Sequence, residues 1–335
     1  MILRRHAIQY SVAMAISYLA LILMIAAPPA MAATINYQTS VLAKTPYAYY
    51  RQQETGIGTG TIADSIDASN RDATYQGSAT GGIVGAGPSG SDNAVEYSGA
   101  ATGSATRYFG GANLRGLGGS LATSSYEFVF KVNPSFPTQK QSLFGVFNTG
   151  NTTAVEVTLN SQGNDAIADT PNAARLFIRG DDGDGVGVSF NNPRLFDGQY
   201  HHLVFTFDRA SLAVTAGSAP QAFTGGFTAY VDGTPQSLSL FSVNAGATDA
   251  GLEPDNFINF NFDPTFMARN VRTTLGGTGV GRQANVTLDE AVLYTRVLSA
   301  AEVAENFAAI PEPTSLTLSS VALLSLLRGC RRRRA

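Results

Sequence analysis

The sequence predicts an all-β sandwich or barrel, on three observations. Apolar residues alternate with polar ones in short segments, turn residues separate those segments, and little of the chain reads as helix. Composition agrees. Glycine is abundant at 35 of 335 residues and charged residues make up only 14%, a balance that suits short strands joined by many turns.

Tyr126 to Val132 alternates, with Phe128, Phe130 and Val132 on one face. Ser142 to Phe147 and Ala154 to Leu159 follow turn-like Gly and Asn residues, and Arg175 to Arg179 leads into a glycine-aspartate turn. His201 to Phe207 places Leu203, Phe205 and Phe207 on one face. Phe227 to Val231 runs into Asp232-Gly233, a hairpin signal between apolar runs. Val286 to Tyr294 closes the series. One short helix is predicted after it: Ser299 and Glu302 form a capping box, Leu298 and Val303 a hydrophobic staple, and the helix stops before Pro311. Leu240 to Thr274 reads as an insertion. Within it, Asn256 to Phe262 is either one more strand or an aromatic platform for a sugar ring.

The two ends read as targeting segments. A basic start (Arg4, Arg5), an apolar run from Val12 to Ala27 and small residues up to Ala33 make residues 1–33 a signal peptide. At the other end, Pro311-Glu312-Pro313 precedes the 14 residues Thr314 to Leu327, then Arg328 and Arg331, Arg332, Arg333 and Arg334. As a helix those 14 residues reach about 21 Å, short of a hydrocarbon core of about 30 Å. The arginines would stay on the cytoplasmic side of the inner membrane. This tail, residues 311–335, resembles the PEP-CTERM sorting signal of Gram-negative bacteria. The resemblance implies an exosortase-type processing protease as partner and a cell-surface or extracellular destination, with transient anchoring by the tail.

Residues 34–310 remain as one domain. Without the processed ends, basic residues fall from 22 to 15 and acidic ones from 25 to 24, leaving a charge of about −9. An acidic body of this kind argues against nucleic acid as a partner. The single cysteine, Cys330, lies in the tail, so the domain has neither a disulfide nor a catalytic thiol.

Four segments carry a family resemblance. Gly198 to Asp208 (GQYHHLVFTFD) resembles the "G-x-W-H-H-V-A-V-T-Y-D" strand of laminin-G-like, concanavalin-type jelly rolls, and Tyr230-Val231-Asp232-Gly233 is similar to their "Y-V-D-G" hairpin. Leu288 to Val303 is similar to the closing "I-D-E-V-x-I-Y-x-R-A-L-S-A-A-E-I". Ala48 to Arg51 with Ala63 to Ser65 match the opening segments. The chain departs from the pattern in having no tryptophan, with Tyr50, Phe130 and Tyr200 at the usual positions, and in lacking the opening loop's glycines. The resemblance covers about Tyr47 to Phe307. It implies a jelly-roll sandwich of two antiparallel sheets with one short C-terminal helix before the tail.

Catalysis finds little support. Glu127, Glu156 and Glu290 are single acids within strands, and period-two alternation sends Asp289 and Glu290 to opposite faces. His201 and His202 have no nucleophile elbow beside them and read as packing and hydrogen-bonding residues. Calcium is the one candidate ion. Asp64, Asp67, Asn70 and Asp72 form one oxygen-rich loop, Asp181, Asp182 and Asp184 another, and the resemblance favours the first. In both, turn formation alone would also account for the aspartates. The expected function is non-catalytic recognition of extracellular polysaccharide or a surface partner in envelope, matrix or biofilm. The alternatives are a purely structural exoprotein and, third, a polysaccharide hydrolase or lyase of this fold.

Overall fold

The computed structural model describes residues 36–53, 55, 57–67, 71–86, 92–97, 108–111, 122–133, 140–147, 153–160, 171–179, 185–215, 222–242, 264–270 and 280–310. The described elements lie in the unit Tyr37–Ala335. Helix α1 (Tyr37–Ala43) comes first, followed by β1 (Ala48–Arg51), β2 (Ile57–Ile62), β3 (Ala73–Val84), β4 (Asn93–Tyr97) and β5 (Tyr108–Gly110). Next are β6 (Thr123–Val132), β7 (Gln141–Phe147), β8 (Thr153–Leu159), β9 (Ala173–Arg179), β10 (Gly185–Asn191) and β11 (Tyr200–Asp208). Short strands β12 (Ala213–Thr215) and β13 (Ala222–Thr224) precede β14 (Phe227–Val231), β15 (Thr234–Pro235) and β16 (Ser239–Ser242). The last are β17 (Thr265–Phe266), β18 (Arg269–Asn270), β19 (Val280–Gly281), β20 (Val286–Tyr294) and helix α2 (Ala300–Ala309).

The strands form a sandwich of two antiparallel layers joined through a corner. Hydrogen bonding runs β15-β14-β11-β6-β20-β4-β3-β5-β17-β7-β8-β9-β10-β16, with β1 added on β20 and β2 on β3. Strand β3 is the corner. Its Thr80, Ile83 and Val84 pair with β4, while Thr74 to Gln76 pair with β5. A register shift between Thr80 and Ile83, with Gly77 and Gly82 at positive φ, bends it between the layers. Across the interior, Tyr126 meets Phe144 at 5.5 Å and Phe190 meets Phe205 at 5.7 Å between ring centroids. The strands at β6, β11, β14 and β20 match the expected segments to within a few residues.

Alternation divides the first layer's side chains between two cores. Phe128 and Phe130 of β6, with Leu203, Phe205 and Phe207 of β11, point into the sandwich. Val129 and Val204 point outward into a second apolar cluster with Tyr37 and Val41 of α1 and Val303 of α2. Helix α2 has the predicted capping box: Ser299 Oγ accepts the Glu302 N–H, and Glu302 reaches back to the Ser299 N–H at 2.9 Å. Leu298 and Val303 share the second cluster, as the staple requires. The expected hairpin is also present. Asp232 and Gly233 both have positive φ, the geometry of a type I′ turn, and Val231 pairs with Thr234.

Helix α1 was not expected from the sequence. What holds it is a buried carboxylate, Glu127, on the outward face of β6. Its Oε1 accepts from Tyr37 Oη (2.8 Å), His202 Nε2 (2.7 Å) and Asn306 Nδ2 (3.0 Å), and its Oε2 from Tyr294 Oη (2.8 Å) and Asn306 Nδ2 (3.0 Å). Burial alone would raise this acid's pKa. The His202 hydrogen bond and charge, with the two tyrosine donors, overcome that and hold it below the ordinary value. Four elements thus converge on one anion of a fifth. Glu127→Ala should lose about 3–5 kcal/mol of unfolding free energy, with the shape-preserving Glu127→Gln losing less. Denaturant titration measures both, and a loss for the alanine variant below about 1 kcal/mol would show that the network is not holding the helices.

Candidate functional site

The two adjacent histidines of β11 point to opposite sides of their strand and are both engaged. His201 lies between Asp232 (Nδ1 to Oδ2, 2.9 Å) and Asp197 (Nε2 to Oδ1, 3.0 Å). Burial would lower its pKa, but the hydrogen bonds and charges of the two aspartates raise it above the ordinary value. A ring with a carboxylate on each nitrogen has no free lone pair with which to act as a base. His202 donates from Nε2 to Glu127, since a carboxylate can only accept.

Of the aspartates proposed for the first loop, the structure brings Asp64, Asp67 and Asp72 together, but around an arginine. Asp64 Oδ1 accepts the N–H groups of Tyr49 (2.9 Å) and Ile66 (3.0 Å), and Asp72 Oδ1 accepts the Asp64 N–H (3.1 Å). Arg71 Nε stands 3.2 Å from Asp64 Oδ2, and its Nη2 3.6 Å from Asp67 Oδ2. The Tyr47 ring packs 4.5 Å from the guanidinium carbon. Arg71 thus supplies the positive charge between Asp64 and Asp67. Asn70, Asp181, Asp182 and Asp184 lie outside the described residues, as do Asn256 to Phe262 and the whole sorting tail from Pro311 to Arg334. Among the described residues no helix is long and apolar enough to cross a membrane.

A different acidic cluster does form. Alternation places Asp289 and Glu290 on opposite faces of β20; the structure corrects this. Opposite β6, the register passes from Leu288↔Phe130 to Glu290↔Val129, so Asp289 is an inserted residue in a β-bulge. The parity of the strand changes there. Val286 and Leu288 point into the sandwich before the bulge, Ala291 and Leu293 after it. Asp289 and Glu290 therefore share the outward side, where Asp92 joins them with carboxylate oxygens within 4.8 Å of one another. The three acids line a cavity of about 10 Å³, with Tyr37, Val129 and Ile310 in its wall.

The neutralisation of the strand acids is unequal. Glu156 of β8 has Arg282 Nη1 at 3.0 Å from both its oxygens and Arg175 Nη2 at 3.5 Å. Glu127 is fully hydrogen-bonded. Glu290, by contrast, has Arg51 Nε at 3.5 Å on Oε1 and no hydrogen bond on Oε2, although the residue is only 3% exposed. The Tyr49 hydroxyl lies beside Glu290 and acts on it only as a long hydrogen-bond donor. Asp289 Oδ2 accepts the Ala86 N–H at 2.9 Å, while Oδ1 has no partner. Burial pushes Asp289 up to about 7, and the charge of Asp92 adds to the push. Burial, and then the charge of Asp289, carry Glu290 well above the ordinary carboxylate value. The sequence carried no local signal of this site, because Leu288, Val292 and Tyr294 also fit strict alternation.

No protein-family profile matches the sequence, and no curated protein does. Solved structures with a similar fold include the binding domain of botulinum neurotoxin DC in complex with rat synaptotagmin II, at 9% identity, TM-score 0.49, covering 80% of this chain and 52% of that one. The receptor-binding domain of the botulinum neurotoxin C/D mosaic serotype matches at 6% identity, TM-score 0.49, covering 79% and 51%. A botulinum neurotoxin type C structure, described as dependent on two ganglioside molecules for cell entry, matches at 9% identity and TM-score 0.49, covering 80% and 51%. This chain spans about half the length of each.

The His201 arrangement sets a pH dependence. Because the folded pKa is raised, the pair's contribution is complete below the unfolded value of about 6.5 and is lost as pH rises through the folded value. Melting temperatures of wild type and His201→Asn, measured between about pH 5 and 8, should differ most at the acid end and converge as pH rises. A constant difference would contradict the charged Asp197–His201–Asp232 arrangement.

Proposed function

We propose that the protein is an exported, laminin-G-like binding module that recognises extracellular polysaccharide or a surface partner and catalyses no reaction. The observation that carries this reading is where the reactive side chains are placed. Both described histidines are held by carboxylates. Glu127 and Glu156 are neutralised in the fold. Asp289 and Glu290 close on a cavity of about 10 Å³. That volume takes a single water or ion. A sugar ring does not fit it, so the Asp289–Glu290 pair is not placed as a glycosidase pair despite its short separation.

Helices α1 and α2 cover much of the outer face of the β14-β11-β6-β20 layer. Recognition then falls to the loops at the ends of the sandwich and to the opposite layer. Residues 1–33 direct export, and residues 311–335 direct exosortase-type processing at the inner membrane, which delivers the domain to the cell surface.

A glycan array probed with the domain should show one reproducible glycan class that soluble sugar competes away, with no turnover of a polysaccharide panel. Measurable turnover would overturn the non-catalytic reading, and the absence of any competable glycan or surface partner would leave a structural exoprotein. Mass spectrometry of the mature C-terminus should find cleavage near Pro311-Glu312-Pro313 in cells with the sorting protease and an intact tail in cells without it. The same terminus in both would refute the sorting signal.

A further inference from the structure

The acidic cavity has a use that the binding reading does not require. Three carboxylates, Asp92, Asp289 and Glu290, present oxygens within 4.8 Å of one another, and among the described residues the positive charge in contact with them is Arg51. With all three ionised, the formal charge of this group is −2. Two further features point to a ligand. Asp289 Oδ1 and Glu290 Oε2 have no hydrogen-bond partner, in residues only 2% and 3% exposed. Buried anionic oxygens of this kind are costly unless something compensates them. The cavity they line, about 10 Å³, is the size of one ion or water.

We propose that Asp92, Asp289 and Glu290 hold one calcium ion in the cavity beside α1. The donors are all carboxylate oxygens, which suit a hard cation rather than zinc or copper. Oxygens bound to one calcium at about 2.3–2.6 Å can lie no more than about 5 Å apart, and these do not exceed that span. Magnesium demands near-ideal octahedral geometry. Calcium accepts irregular sites of about six to eight oxygens, the remainder of which solvent at the part-exposed Asp92 would supply. A dication would bring the group to neutrality, and Asp92, with 24% of its side chain exposed, is the point of entry. Asp289 and Glu290 come from the bulge in β20 and Asp92 from the residue before β4, so the ion would fasten a loop to the strand that carries the helices' footing.

The chain has no tryptophan, so terbium substituted for calcium would be sensitised by tyrosine alone, with Tyr37 in the cavity wall. Metal-free protein, purified after chelation, should take up one calcium per chain in equilibrium dialysis and show tyrosine-sensitised terbium luminescence that calcium competes away. Asp289→Asn and Glu290→Gln should each weaken calcium binding tenfold or more. Both should also melt at or above the metal-free wild-type temperature, because each keeps the side chain's shape while removing a group whose ionisation burial opposes. Asp64→Asn should bind calcium as wild type does. If either buried variant fails to fold by circular dichroism, the part-exposed Asp92→Asn takes its place, with the same loss of binding expected. No calcium uptake by wild type would overturn the assignment. So would uptake unchanged in the cavity variants, uptake abolished by Asp64→Asn, or equal affinity for magnesium.

Discussion

A carboxylate taken out of water has to be matched donor for donor, and Glu127 is the point at which this fold meets that requirement. It sits on the outward face of β6, where a period-two strand would ordinarily present polar side chains to solvent. Here α1 and α2 roof that face, so the acid is sealed in and needs partners. It finds them on α1, β11, β20 and α2. The partners are separated from it by 75 to 179 positions in the sequence, so the anion forms only when the strands and both helices are already assembled. Removing one donor leaves a buried charge incomplete, which makes the arrangement cooperative.

That constraint also accounts for one of the two adjacent histidines of β11. His202 points under the helices and completes Glu127. His201 points the other way in the local hairpin, where Asp232, itself in the type I′ turn, binds both the His201 ring and the His202 backbone N–H. One aspartate therefore closes the turn and ties β11 to it. Both histidines are thus consumed in tying strands to one another, in keeping with the packing and hydrogen-bonding role expected of them.

The acid cavity shows the converse case. Glu127 and Glu156 are each surrounded by donors, whereas Asp289 and Glu290 are buried with too few. A β-bulge produced this by changing the parity of a single strand. Bulges re-aim side chains without altering the apolar pattern on either side, so the sandwich core is undisturbed while two adjacent acids are turned toward Asp92.

The sequence by itself determined the strands and their faces, because side-chain alternation is a property of each segment alone. Leu203, Phe205 and Phe207 could only share one side of β11, and Asp232-Gly233 could only favour a tight turn. The cap of α2 was legible for the same reason: Ser299 and Glu302 act within one helical turn. Helix α1 was not legible. Its seven residues, Tyr37 to Ala43, are too few to be stable as an isolated helix, and they stay helical because Tyr37 and Ser40 dock onto Glu127 and Asn306. Nor could local pattern reveal that Arg71 would fill the aspartate loop, or that Asp289 would be the inserted residue opposite β6. Those outcomes depend on which residues arrive from elsewhere in the chain. Local sequence sets side-chain direction, and only the assembled layers decide which charges face one another and whether anything remains to neutralise them.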